Sequence, residues 1–404
     1  MNKINKNIEL HWYYYVFLIF CITFITGTIE SGYYFLLPYI DGIGINKAHW
    51  GGLVMGICYG VSFLIRPFVP IIDRKMGLEK MLWFGYFCFF VSTLGIALFA
   101  NGVLSVIVWR GITGLGLSLV GVSLMGYQIH LIPEAIRGRS LALITTAYSL
   151  PAFAIAPVFE YMIKNSYFKV YIFFFPFLVA VGLIAVFNLP SVKHLSLEQG
   201  EKQKTAPSYL GLLKKPDILI FVFSISLFAF TDAGQLTFVL LADELGIPAS
   251  YFFSVSAAVA LICRVLCGKL LDILPRKYCS TGAAIITATA MLLVTYAQTP
   301  TQLMFFGAIY GIGMGFGFPA LMCMTLDLGG KIYVTNLAVL FGLIYSGIFF
   351  IAPMIMGFFF SMLGGPIAAY RLVNILISAA AVVLIIISVR KHKLITKKYN
   401  TGVI

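Results

Sequence analysis

The chain has 404 residues, of which 60% are hydrophobic and only 11% are charged, and its mean hydropathy is +0.97. A soluble domain carries about 25% charged residues, so this composition excludes a soluble globular protein. The net charge of +13 would indicate a nucleic-acid partner only if the cations formed a binding surface.

Twelve apolar segments with few charges follow one another along the chain. Each has about the 20 residues that a helix needs to cross a bilayer. They lie near 12–38, 48–71, 81–100, 103–129, 141–163, 168–190, 217–241, 248–271, 278–298, 302–327, 333–362 and 366–389. The sequence therefore predicts an all-α integral membrane protein with twelve transmembrane helices in the lipid bilayer.

The positions of the cations predict the orientation of these spans. Lys and Arg concentrate in cytoplasmic loops, and 23 of the 28 fall on the side that holds the N-terminus. Both termini are therefore predicted to be cytoplasmic. The positive net charge then reports membrane orientation, and no nucleic-acid partner is expected. The basic inner ends fit a bacterial inner membrane.

A polar linker at 191–216 divides the spans into an N-terminal six-helix bundle, 1–190, and a C-terminal bundle with a short basic tail, 217–404. The two halves contain an internal repeat with offsets of 196 to 202 residues. The repeated pairs are Glu30 with Asp232, Arg66 with Arg264, Gly114 with Gly311, Ala156-Pro157 with Ala352-Pro353, and Phe168 with Tyr370. Such a repeat is typical of secondary transporters.

Loop motifs in both halves resemble those of a known family. Between spans 8 and 9 the motif contains Arg264, Gly268, Asp272, Arg276 and Lys277; a looser copy between spans 2 and 3 contains Arg66, Asp73, Arg74 and Gly77. With Arg110-x-x-x-Gly114 in span 4 and the two halves, the whole chain resembles the major facilitator superfamily.

The resemblance implies two pseudo-symmetric six-helix bundles that rock around a site near the membrane midplane. It also implies that spans 1, 4, 7 and 10 line a central cavity. Asp272, and with a weaker motif match Asp73, would act as a conformational latch. The Arg66-Pro67 pair and the whole-chain pattern resemble exporters of drugs, small metabolites or metallophores.

Three charges lie inside predicted spans, namely Glu30, Arg110 and Asp232. A charge at the bilayer centre costs about 2.5 to 3.5 kcal/mol, so it indicates a function. Burial favours the neutral form of a carboxyl group, whereas a nearby Arg favours the charged form. We predict that Glu30 or Asp232 carries the coupling proton and that Arg110 sets its affinity. The alternative is a static ion pair that holds spans 1, 4 and 7 in register.

Polar neighbours on the same helix faces predict a cavity for a small-molecule substrate. Residues three or four apart share a face of a helix. Tyr33 and Tyr34 therefore flank Glu30, Thr113 flanks Arg110, and Gln235 flanks Asp232. In spans 5 and 11, Pro157 and Pro353 each remove a backbone donor and predict kinks.

Missing motifs narrow the function further. The chain has no G-x-x-x-x-G-K-[ST] phosphate loop, so we expect the proton gradient, and no cofactor, to supply the energy. Its His and Cys residues have no metal-site spacing, and no catalytic arrangement indicates an enzyme. We therefore predict a proton-coupled secondary transporter, active as a monomer, that exports a drug, metabolite or metallophore such as a siderophore by proton antiport.

Two alternatives remain open from the sequence. One is a proton symporter that takes up an amino acid or a similar nutrient. The other belongs to a different class and is a membrane channel or a non-transporting sensor.

Overall fold

A computed structural model of the chain describes residues 3–45, 50–132, 137–190, 216–266 and 276–400. A backbone in the bilayer core must satisfy its own N–H and C=O groups, which favours helices. The helices are α1 (Lys3–Gly32), α2 (Leu36–Gly42), α3 (Gly51–Ile65), α4 (Val69–Phe99), α5 (Val103–Leu131), α6 (Arg137–Ala154), α7 (Ala156–Lys164), α8 (Phe168–Phe187), α9 (Pro216–Ala233), α10 (Phe238–Leu245), α11 (Ala249–Leu266), α12 (Arg276–Val294), α13 (Pro300–Leu363) and α14 (Pro366–Asn400). Within the described ranges the regular structure is entirely helical. The predicted linker at 191–216 lies outside them except for Pro216, which begins α9.

Nine stretches within the described residues are long and apolar enough to cross a membrane. They are Tyr13–Gly42, Gly51–Phe68, Ile71–Phe99, Val103–Gln128, Phe168–Phe187, Asp217–Leu245, Pro300–Met322, Val339–Leu363 and Pro366–Ile387. This confirms a multi-pass membrane protein. Two shorter apolar helices, Ala249–Arg264 and Cys279–Val294, lie where the sequence predicts spans 8 and 9. The count of twelve spans and the cytoplasmic termini stay predictions.

Helix α13 covers the places of predicted spans 10 and 11. It begins after Thr299, whose hydroxyl accepts a hydrogen bond from the backbone N–H of Gln302 at 3.3 Å. It ends at Gly364, where φ is +78° and glycine is favoured. The backbone is helical through 328–332, where the sequence predicts a connection. Tyr310 and Tyr345 nevertheless both bond to Asp232. Because a straight helix would place them about 52 Å apart, the chain reverses its direction between predicted spans 10 and 11.

The chain forms two compact units. The first contains Met1–Thr205, Leu236–Leu240 and Phe349–Phe358, and the second contains Ala206–Gln235, Leu241–Ile348 and Phe359–Ile404. In the first unit α1 packs against α6 and α8, while α5 packs against α3 and α4. In the second unit α9, α12 and α14 pack against one another.

Glycines allow equivalent close helix approaches in both units. A Cβ at Gly114 would collide with the backbone carbonyl of Cys58, and one at Gly311 would collide with that of Ser256. The corresponding partners of the two contacts are separated by the repeat offset, because 311 − 114 = 197 and 256 − 58 = 198. The repeat therefore extends from sequence to helix packing.

Candidate functional site

Glu30 lies near the end of α1, where that helix approaches α6 closely. A Cβ at Gly27, one turn earlier, would stand 2.5 Å from the backbone oxygen of Tyr148. This close approach brings the phenol of Tyr148 to Glu30, and its hydroxyl donates to Glu30 Oε2 at 2.7 Å. The hydroxyl of Tyr59 on α3 donates to the same oxygen at 3.2 Å. The other oxygen, Oε1, is buried and accepts no hydrogen bond from the described residues.

Asp232 lies at the corresponding place on α9 and has more donors. Gln235 Nε2 donates to Oδ1 at 2.6 Å, and the hydroxyl of Tyr310 donates to Oδ1 at 3.4 Å. The hydroxyl of Tyr345 donates to Oδ2. Gln235 Nε2 also contacts the Tyr310 hydroxyl at 2.9 Å, which fixes the amide beside the carboxylate. Both oxygens of Asp232 therefore have side-chain donors.

An arginine lies within electrostatic range of each carboxylate. The charge of Arg66, just after α3, acts on Glu30 and Tyr148. The charge of Arg264 on α11 acts on Asp232 and Tyr345. The sequence assigned both arginines to loop motifs at the cytoplasmic ends, where long cations reach headgroups. In the structure Arg66 also interacts electrostatically with Glu30, and Arg264 with Asp232.

The acid, arginine and tyrosine of each unit are repeat-related. The offsets are 232 − 30 = 202, 264 − 66 = 198 and 345 − 148 = 197. In each unit a partly buried carboxylate, a phenol donor and an arginine thus recur in the same relative places along the chain.

A second pair of tyrosines supports the backbone beside each acid. Tyr171 donates to the carbonyl of Gly32 at 2.8 Å, and Tyr370 donates to the carbonyl of Gly234 at 2.6 Å. In both units a 3-10 turn adjoins this glycine. The predicted pairing of Phe168 with Tyr370 is therefore wrong, because Tyr171, and not Phe168, makes the equivalent contact.

Arg110 is 3% exposed and bonds to α3. Its Nε and Nη2 donate to the carbonyls of Val54 and Met55 at 3.3 and 3.2 Å, and Nη2 contacts Cys58 Sγ at 3.0 Å. Its guanidinium carbon lies 4.8 Å from the ring centre of Tyr33. Arg110 thus fixes α5 against α3 and α1, and its charge also acts on Glu30.

The residues predicted for a substrate cavity have different surroundings. Tyr33 is 1% exposed and its ring centre lies 4.7 Å from that of Phe175, so it belongs to the packed interior. Thr113 is also buried, and its hydroxyl donates to Ser92 at 3.1 Å. Tyr34 is partly exposed. A substrate role for these residues, and for Gln235, stays a prediction.

The acids lie nearer the middle of their apolar stretches than the sequence predicts. The stretch Tyr13–Gly42 continues through a 3-10 turn. At 1.5 Å per residue, Glu30 lies about 4 Å past the midpoint of its stretch and Asp232 about 2 Å past the midpoint of Asp217–Leu245. Arg110 lies about 8 Å before the midpoint of Val103–Gln128. The depth shared by all three charges, predicted at 5 to 9 Å, stays a prediction.

The predicted gating motif of the first unit is largely helical. Arg66 begins a 3-10 turn, and Asp73 and Arg74 lie in the first turns of α4. Gly77 interrupts that helix with φ of +78°, a conformation that a side chain would strain. In the second motif, Gly268 and Asp272 lie outside the described residues, while Arg276 and Lys277 begin α12. The latch role stays a prediction.

The two predicted proline kinks differ. Helix α6 ends at Ala154, and α7 begins at Ala156 with Pro157 in its first turn. A break at Ile155 thus precedes Pro157. Helix α13 instead continues through Pro353.

Sequence reasoning missed the four phenols around the acids, namely Tyr59, Tyr148, Tyr310 and Tyr345. Tyrosine is abundant in this chain, with 22 residues, so no single phenol stands out. The spacing of 197 residues between Tyr148 and Tyr345 matches the repeat. That spacing was the available signal.

Comparison with known proteins agrees with this architecture. The family model described as the Major Facilitator Superfamily matches residues 19–334. An uncharacterized transporter of Buchnera aphidicola subsp. Schizaphis graminum is 28% identical over 195 residues, which cover 46% of this chain and 48% of that protein. The matched part thus spans about half the length of this curated relative.

Solved structures share the fold at low sequence identity. A POT family transporter in complex with 5-aminolevulinic acid matches with a TM-score of 0.72 and 14% identity, covering 92% of this chain and 95% of that chain. Another, in complex with a thioalcohol-conjugated peptide, matches with a TM-score of 0.72 and 13% identity over the same shares. The family model covers well over half of the residues. The chain therefore belongs to the major facilitator superfamily of membrane transporters.

Proposed function

We propose that the protein is a proton-coupled secondary transporter that moves a small polar or amphipathic organic solute by alternating access. The observation that carries this proposal is the repeated site: each unit contains a partly buried carboxylate that accepts hydrogen bonds from two phenols, which lie on α3 and α6 in the first unit and on α13 in the second. Glu30 and Asp232 are the coupling carboxyl groups.

The contacts suggest how such a carboxyl group couples to helix movement. Hydrogen bonds from neutral donors stabilise a buried carboxylate, and burial without donors favours its protonated form. The donors to Glu30 come from α3 and α6, which can move relative to α1. A movement that withdraws a phenol changes proton affinity, so proton exchange and conformational change become linked.

The sequence favours export by proton antiport, with a drug, a metabolite or a metallophore such as a siderophore as the solute. The second candidate is uptake of an amino acid or a similar nutrient by proton symport. The solved relatives with 5-aminolevulinic acid and with a peptide support this second candidate. In either case we propose a monomer with twelve spans and cytoplasmic termini in a bacterial inner membrane.

Transport by purified protein in proteoliposomes tests the proposal. A pH gradient is imposed, and a panel of labelled amino acids, peptides, cationic drugs and metallophores is supplied. We expect accumulation of at least one solute that a protonophore abolishes. Accumulation against an inward proton flow indicates export by antiport, and movement together with protons indicates symport. If no solute moves under any gradient, or if the solutes cross the membrane at a rate that does not depend on the gradient, the proposal is wrong.

A further inference from the structure

Glu30 and Arg66 in the first unit each have a buried atom without a hydrogen-bond partner among the described residues. These atoms are Oε1 of Glu30 and Nε of Arg66. A buried charged group that lacks a partner costs more than the 1 to 3 kcal/mol estimated for a neutral group. Such atoms in a native structure call for an explanation, and a bound ligand that supplies the contact is one.

The two atoms belong to the same site. Glu30 lies on α1 and Arg66 follows α3, and the charge of each acts on the other. Both groups are also linked to Tyr148, which bonds to Glu30 and lies in the electrostatic range of Arg66. The Tyr148 side chain is 44% exposed, whereas the two atoms are buried, so a ligand reaches them only when the surrounding side chains or helices move.

The charges around Glu30 restrict the chemistry of a ligand. A simple organic cation would meet the charges of Arg66 and Arg110, and a simple anion would meet Glu30. A zwitterion adds no net charge, and its two ends can each meet an opposite charge. This matching reduces the electrostatic cost of binding in a poorly solvated site.

We propose that Glu30 Oε1 and Arg66 Nε together bind a zwitterionic solute of the amino-acid class. The ammonium group of the solute donates to Glu30 Oε1, and its carboxylate accepts from Arg66 Nε. This inference rests on the proposed transport function, of which it names the substrate class. A protonated Glu30 does not attract an ammonium group, so the solute and a proton exclude each other there, as antiport requires.

Binding to the purified full-length protein tests this assignment. The twenty common amino acids are tested singly, each beside its amide, which lacks the carboxylate, and its N-acetyl derivative, which lacks the ammonium group. We expect at least one amino acid to bind, and both derivatives to bind about 10- to 100-fold more weakly, since each loses a charged hydrogen bond. If no amino acid binds, or if its amide binds equally well, the assignment is wrong.

Two substitutions then locate the ends of the solute. In Glu30→Gln the ammonium contact is already lost, so N-acetylation should weaken the remaining binding by less than about threefold. In Arg66→Gln the same should hold for amidation. Glu160→Gln is the matched control, because Glu160 is an acid of the same unit that pairs with Lys164 at 3.1 Å; it should retain the full discrimination. Discrimination that persists in Glu30→Gln and Arg66→Gln contradicts the assignment.

The result separates this inference from the proposed function. If a solute of another class accumulates in response to the pH gradient, the transport proposal stands and the zwitterion assignment fails. If an amino acid binds with the expected discrimination but moves without protons, the assignment stands and the coupling proposal fails.

Discussion

Glu30 and Asp232 occupy equivalent places in the two units, but their surroundings differ. Both oxygens of Asp232 accept hydrogen bonds from side chains. Glu30 accepts its two hydrogen bonds at Oε2, and its buried Oε1 has no donor among the described residues. Both oxygens of Asp232 thus have donors, whereas Oε1 of Glu30 has none among the described residues and can accept a proton or a hydrogen bond from a ligand.

The difference arises from one additional donor. Each unit contributes two phenols, from α3 and α6 in the first unit and from α13 in the second. Only the second unit has an amide side chain, that of Gln235, three residues after the acid. At the corresponding position in the first unit, Tyr33 packs in the interior instead. The repeat therefore preserves the acid and its phenols, while one neighbouring residue changes the number of hydrogen bonds that the carboxylate accepts.

The largest expected effect separates the two acids. Glu30→Gln should reduce both solute binding and gradient-driven transport by about 100-fold, because a buried charged contact is lost. Asp232→Asn should abolish coupling to the pH gradient but leave solute binding within about threefold. Binding and accumulation are measured on the same purified variants. Equal binding losses in both variants would remove the distinction between the two sites.

Alanine at the glycine beside each acid should affect stability unequally. A Cβ at Gly32 would collide with the ring of Phe175, whereas one at Gly234 would have no atom closer than 3.8 Å. Overpacking costs about 1 to 3 kcal/mol, so Gly32→Ala should lower the thermal unfolding midpoint clearly. Gly234→Ala should leave it nearly unchanged. A similar decrease in both would show that the packing around the acids is equivalent.

Removing one phenol should affect the first unit more than the second. Tyr148→Phe leaves Glu30 with the Tyr59 contact, while Tyr345→Phe leaves Asp232 with Gln235 and Tyr310. Because a hydrogen bond to a charged group contributes about 1.5 to 3 kcal/mol, Tyr148→Phe should slow gradient-driven transport about tenfold. Tyr345→Phe should slow it by about threefold or less. The rates and their pH profiles are compared in proteoliposomes, and a larger loss for Tyr345→Phe would reverse the comparison.

Removing the tyrosine hydroxyl that supports the backbone beside each acid should lower stability slightly and equally in the two units. Tyr171→Phe and Tyr370→Phe each remove a hydrogen bond to a glycine carbonyl next to the 3-10 turn. Each should lower the free energy of unfolding by about 1 kcal/mol. Thermal unfolding of both variants provides the measurement. A difference of several degrees between them would indicate that these two supports are not equivalent.

The sequence predicted the helical membrane fold, the embedded acids and the repeat because each depends on local composition or spacing. It did not predict which helices meet. Tyr148 and Glu30 are 118 residues apart, and Tyr345 and Asp232 are 113 residues apart. The role of Arg110 was also hidden, because its acceptors include backbone carbonyls of α3, which every residue possesses.

The repeat nevertheless contained information that the residue types did not. Arg66 and Arg264 were recognised as a repeated pair, as were Glu30 and Asp232. Their association with Tyr148 and Tyr345 follows the same spacing. Searching for every residue type that recurs at the repeat offset would have indicated these phenols, although it could not have shown the missing donor at Glu30.

Proton movement during downhill solute transport shows whether Glu30 and Asp232 couple the solute to protons. Proteoliposomes are loaded with a labelled solute that the wild-type protein accumulates and with a trapped pH-sensitive dye, and no pH gradient is imposed. The account predicts that the lumen acidifies as the solute leaves, and that Glu30→Gln and Asp232→Asn show no proton movement. Lumen alkalinisation would support the symport alternative. Solute efflux from wild-type vesicles without any pH change would contradict proton coupling.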